Sequence, residues 1–206
     1  MKHIKNLKEF LKEAITTNKK NPDFVGSALT FDKTEKTDNF YKWFGNSEMV
    51  DNDNNPLILY HGSKNKFTAF DDRKKGSATD SGLRGRGFYF SSFKPSSQSY
   101  GDNVLEVYLK IEKLFDLLSF NSIQEIADYL LLDENIIYES GDINKGYPYY
   151  SIKVNSDFSG VFTSAIRDKG YDGIRHGQEF VVFNSNQIKA VDNDGSFDID
   201  DNNIYS

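Results

Sequence analysis

The chain has 206 residues and no cysteine. Disulfides, thiolate zinc sites and cysteine nucleophiles are thereby excluded together, and a reducing, intracellular setting is the expectation. Long apolar runs are equally missing. Nothing approaches the roughly 18 consecutive apolar residues of a membrane-spanning helix, and the mean hydropathy is -0.62. Lysines interrupt the first residues, MKHIKNLKEFLKEAITTNKK, throughout, so they lack the apolar centre of a secretory signal. Positive charge is in deficit as well. A net charge of -6 argues against attraction of the whole surface to nucleic acid. A cytoplasmic protein with no membrane partner is expected.

Aromatic residues are abundant: 17 Phe and 12 Tyr give the chain ample side-chain area to bury one core. Ile4, Leu7, Leu11 and Ala14, widened by Phe10 and Ile15, predict an amphipathic N-terminal helix with lysines in water. Residues 16–39 read as a connector, and DNFYKWFG (38–45) as a short helix with Asp38 as cap and Gly45 as stop. LILYHGS (57–63), GFYFSS and VLEVYLKI (104–111) read as strands, the last with Leu105, Val107, Leu109 and Ile111 on one face. Ser122 and Glu125 have capping-box spacing ahead of a helical stripe, and a further helix over 156–169 stops at Gly170. EFVVFN and QIKAV close the ordered region as strands. Strands and helices mix without regular βαβ alternation, which favours an α+β fold. The expected organisation is an N-terminal helix and connector (1–39), a central domain (40–192) and an acidic flexible tail (193–206).

Three segments carry candidate chemistry. His61-Gly62-Ser63 sits where an apolar strand stops, a place where a polar side chain can project into a cleft and glycine lets a ligand near the main chain. The same triplet also suits an ordinary surface turn. Tyr89 lies in GRGFYFSS, whose Gly85 and Gly87 permit close backbone approach. Tyr100 follows 11 residues later, enough for a strand, a turn and the start of a helix to bring two phenyl faces together around a flat ring. Glu179 begins EFVVFN, as either a solvated strand end or a functional acid.

In order and spacing these segments resemble the catalytic strands of ADP-ribosyltransferases of the His-Tyr-Glu class, the diphtheria-toxin and poly(ADP-ribose) polymerase branch. FYKWFGNSEMVDNDNNPLILYHGS, GRGFYF and GYDGI together are similar to the ADP-ribosyltransferase domains of polyvalent proteins in bacteriophages and mobile elements. The resemblance spans residues 40–192. It implies split antiparallel β-sheets flanked by helices, and a transferase that releases nicotinamide from NAD as co-substrate, with no metal. By the same resemblance, Tyr89 and Tyr100 sandwich the nicotinamide ring and His61 bonds a ribose hydroxyl. The Gly62 backbone, within the triplet that Ser63 completes, pairs with the carboxamide, which Ser97 also reaches. Glu179 bonds the ribose 2′-hydroxyl and steadies the positive charge growing at C1′. Arg84 and Arg86 either meet the pyrophosphate or are merely solvated.

The sequence also departs from the branch. The polymerases place a lysine where this chain has Ser96, so transfer of a single unit is expected rather than chain elongation. Gln178 directly precedes Glu179, which is not the Gln-x-Glu arrangement of the arginine-modifying toxins. The implied acceptor is a macromolecule, foremost a host protein, with nucleic acid as the other candidate. His176, in RHGQ just before Glu179, is a candidate for acceptor specificity. An NAD glycohydrolase and an inactive NAD- or ADP-ribose-binding module are the alternatives.

Overall fold

The computed structural model describes residues 30–31, 35–75, 82–140 and 151–206; the expected N-terminal helix lies outside them. Strands β1 (Thr30–Phe31), β2 (Leu57–Ser63), β3 (Phe88–Ser91), β4 (Asn103–Leu109), β5 (Leu114–Asp116), β8 (Gly173–His176), β9 (Glu179–Val182) and β10 (Ile188–Ala190) share one sheet. Its order is β10-β4-β2-β3-β9-β8-β5, with β1 added to β2. β6 (Ile137–Ser140) and β7 (Ser151–Val154) form a separate antiparallel ribbon. Every ladder of the large sheet is antiparallel except that of β5 with β8. The fold is α+β, as expected.

The sheet is nearly divided in two. β2 and β4 pair from Leu59↔Val107 to Ser63↔Asn103, whereas β2 meets β3 only at Tyr60↔Ser91. That seam joins a β10-β4-β2 half to a β3-β9-β8-β5 half. Two apolar cores cover the second half from opposite sides. Phe88, Phe90, Phe180 and Val182 face one core, while Val181, Phe183 and part of Tyr89 face the other. A strand buried on both faces needs an unbroken apolar run instead of alternation, which explains FYF and FVVF.

Helix α1 (Asp38–Phe44) buries Phe40, Trp43 and Phe44 in the first core, and the Phe40 ring meets Tyr108 edge-on at 5.1 Å. Tyr108 is therefore as buried as its neighbours Val107 and Leu109, so this end of β4 is covered on both faces and not on the one that alternation predicted. Thr37, and not Asp38, caps the helix: its Oγ1 accepts the Phe40 N–H at 3.2 Å. Helix α2 (Lys94–Gln98) lies against β2, and α3 (Ile123–Leu130) and α4 (Ser159–Asp168) pack on the second core. Ser122 caps α3 as expected, its Oγ accepting the Glu125 N–H at 3.1 Å. At the other end Leu131 is left-handed, with φ 57°, and its side chain is 82% exposed.

The acidic tail, expected to fray, is instead tied to the first core. Lys189 is fully buried, and its Nζ donates to the carbonyls of Asp201 and Asn203, both at 2.9 Å, and of Ser206 at 2.7 Å. Ile204 is buried too, donating its N–H to Thr68 O and accepting from Ala190 N–H. Phe197 inserts beside Phe40 and Trp43. The aspartates of this segment remain in water while its few apolar side chains anchor it, and the buried ammonium has the acceptors it requires.

Leu131→Gly should raise stability by about 1 kcal/mol, because a left-handed L-residue is strained and this side chain buries almost nothing. A thermal melt of the two proteins checks it. Lys189→Met should cost at least about 2 kcal/mol in urea unfolding, since it removes the charged donor that three carbonyls of the tail share.

Candidate active site

The seam between the half-sheets brings the strands of His61, Tyr89 and Glu179 side by side. Gly177 and Gln178 form a two-residue hairpin between β8 and β9, with Gly177 at φ 61° as such a tight turn demands. Glu179 is therefore the first residue of β9, opposite His176 on one side and Ser91 on the other. Ser91 in turn pairs with Tyr60, the residue before His61. His61, Tyr89 and Glu179 thus come from three adjacent strands at one point of the sheet.

The His61 ring lies among Phe70 at 4.9 Å, Phe90 at 5.5 Å and Phe67 at 6.0 Å. Its Nδ1 is 2.8 Å from the Tyr89 carbonyl, which can only accept, so Nδ1 carries the proton. Burial pushes the imidazole pKa below its usual value, against the opposing pull of that carbonyl bond. The ring is neutral, and Nε2 is a hydrogen-bond acceptor.

The Tyr89 ring is on the opposite side of β3, toward the second core. Its hydroxyl donates to Gly85 O at 2.6 Å and accepts from Arg84 N–H at 2.9 Å. Arg84 also reaches Glu179. Its Nε and Nη2 lie 3.0 and 2.9 Å from the same oxygen, Oε2, and among the described residues Oε1 has no protein partner. The guanidinium donates further to Ile152 O at 2.7 Å, Leu83 O at 3.4 Å and Ser151 Oγ at 3.0 Å. Each nitrogen of the guanidinium donates to a protein oxygen, and the residue is only 7% exposed. It is neither solvated nor available to a pyrophosphate. Arg86 differs: its backbone is bonded to Thr163 and its residue is exposed.

His176 faces the same strand of the ribbon, its Nε2 accepting the Ile152 N–H at 3.3 Å. Burial, and then the Arg84 charge, hold its pKa at about 4.

A second group of residues clusters under α2. A Cβ on Gly62 would sit 1.7 Å from the Ser97 carbonyl and 3.3 Å from Tyr100 Cβ, so glycine is imposed here by the protein's own packing. Ser97 Oγ donates to Tyr60 O at 2.9 Å, which leaves its lone pairs as acceptors. Ser63 Oγ accepts the Asn65 N–H, and Tyr100 stands half exposed past the end of the helix. A shallow groove of about 910 Å³ elsewhere is lined by Arg86, Leu131, Val161 and Lys169, and not by His61, Tyr89 or Glu179.

Sequence reasoning missed the Arg84–Glu179 pair and its anchors on β7. The partners are 95 and about 68 positions apart, so no local pattern signals them.

A family model described as "ADP-Ribosyltransferase in polyvalent proteins" matches residues 51–197. No curated protein matches the chain. A solved structure titled "Crystal structure of an anti-CRISPR protein" aligns with 65% of this chain and 92% of its own, at 14% identity and a TM-score of 0.36, a likeness too slight to bear on function.

The low pKa of His176 fixes the sign of a pH effect. Between the unfolded value near 6.5 and the native value of about 4, only the unfolded chain takes up the proton, so stability falls as pH drops. From pH 7 to pH 5 this group alone should remove about 2 kcal/mol. Urea unfolding at the two pH values should show His176→Asn losing less stability than the parent by about that amount.

Proposed function

This chain belongs to the family of ADP-ribosyltransferase domains in polyvalent proteins, and on that premise we propose that it transfers a single ADP-ribosyl unit from NAD to a macromolecular acceptor, foremost a host protein. The observation that carries the proposal is Glu179: a carboxylate fixed through one oxygen, with the other unpartnered among the described residues, at the seam where the strands of His61, Tyr89 and Glu179 adjoin. Its setting is the cytoplasm, that of the host if the gene is phage-borne.

The residues at the seam fit such a co-substrate. Glu179 Oε1 and His61 Nε2 are both acceptors, suited to ribose hydroxyls that donate. Ser97, whose proton is directed to Tyr60, offers lone pairs to the amide N–H of a carboxamide, next to the Gly62 main chain. Tyr100 supplies an exposed ring face and Tyr89 an oriented one, and electron-rich faces favour a cationic ring by about 0.5 to 2 kcal/mol. Arg86 is the remaining candidate for the pyrophosphate.

NAD, when bound, supplies an ADP-ribosyl group whose bond to nicotinamide breaks to leave positive charge at C1′. Glu179 accepts the 2′-hydroxyl proton in a hydrogen bond and sets its negative charge against that growing positive charge. Such fixed charge stabilises the transition state more than the ground state. His61, neutral and pinned by the Tyr89 carbonyl, orients the sugar without adding a competing cation.

Glu179→Gln keeps the shape and an acceptor for Arg84 but removes the charge. Nicotinamide release from NAD should fall at least about a hundredfold, with NAD affinity and the unfolding midpoint nearly unchanged. Release at the parent rate would remove Glu179 from the mechanism. Release that does not depend on added lysate would favour a glycohydrolase, and NAD binding without release a binding module.

A further inference from the structure

We propose that Arg84 is a positioning residue for Glu179, a fork that grips one carboxylate oxygen and leaves the other free for the ribose. The proposal rests on the reading of Glu179 given above. An arginine–carboxylate pair commonly engages both oxygens in parallel. Here Nε and Nη2 converge on Oε2 alone, and Oε1 has no partner among the described residues. The geometry therefore orients the carboxylate without occupying it.

Arg84 can impose that orientation because it cannot itself move. Its other donors go to Ile152 O, Leu83 O and Ser151 Oγ, and it is buried, whereas the Glu179 side chain is 41% exposed. Without the fork, a partly exposed glutamate would sample several rotamers in water. The Arg84 backbone N–H also bonds the Tyr89 hydroxyl, so one residue sets both the tyrosine ring and the carboxylate. A guanidinium 2.9 Å from Oε2 weakens the negative field that Glu179 can offer to C1′. Charge alone would make it a poor neighbour, and geometry is what it contributes.

Arg84→Lys separates the two, since lysine keeps the charge but cannot present a planar fork. With NAD as substrate, Arg84→Lys should lower kcat about tenfold and Arg84→Met about a hundredfold, with KM within about twofold of the parent. Crystals of both variants should show the Glu179 carboxylate displaced or in more than one rotamer. Parent-like kcat in Arg84→Lys, or a raised KM at unchanged kcat, overturns the proposal, and the Lys variant decides the matter should Arg84→Met fail to fold. An unmoved Glu179 carboxylate in those crystals overturns it as well. Glu179→Gln run alongside tells this failure from that of the parent reading: if Glu179→Gln is inactive and the Arg84 variants are parent-like, only the positioning role falls.

Discussion

The ladder between β3 and β9 is the constraint on which the rest depends. It runs from Phe88↔Val182 to Ser91↔Glu179 and is covered by a core on each side. Each large apolar side chain buried there contributes roughly 1.5 to 3 kcal/mol relative to exposure, and the two cores pull on alternate residues of the same strands. A slip of one residue would exchange the sets facing each core and carry Glu179 to the wrong face. The register that stores the folding energy is thus the register that places the carboxylate.

The ladder ends at the seam, and the seam is where polar groups can collect. β2 touches β3 at one pair only, so the sheet opens there and its strand ends expose main chain and side chains. The charges that gather are kept few by burial. His61 and His176 are neutral, which leaves Arg84 and Glu179 as the opposite charges joined in the described site. A buried arginine without acceptors would be costly; β7 supplies them through Ile152 and Ser151.

The far end of the chain supports the same site from the other side. Lys189 binds the tail carbonyls, and Ile204 and Asn203 hold the segment containing Thr68 and Ala69. That segment carries Phe67 and Phe70, whose rings pack on His61. A tail that reads as acidic and flexible therefore stands two contacts from the imidazole.

By itself the sequence determined what depends on neighbours in the chain. The strand at 57–63, the Ser122 cap, the stops at Gly45 and Gly170, and the α+β mixture follow from local apolar spacing and turn chemistry. So do the short motifs containing His61, Tyr89 and Glu179, because each marks a strand end where glycine or a polar residue interrupts an apolar run. Only the tertiary structure decided the parallel β5–β8 pair, the β6–β7 ribbon, the burial of Lys189 and the use of Arg84. An exposed and a buried cation have the same letter in a sequence. What separates them is the set of acceptors that folding brings within about 3 Å, and for Arg84 and Lys189 those acceptors come from backbone carbonyls and a carboxylate that no local pattern announces.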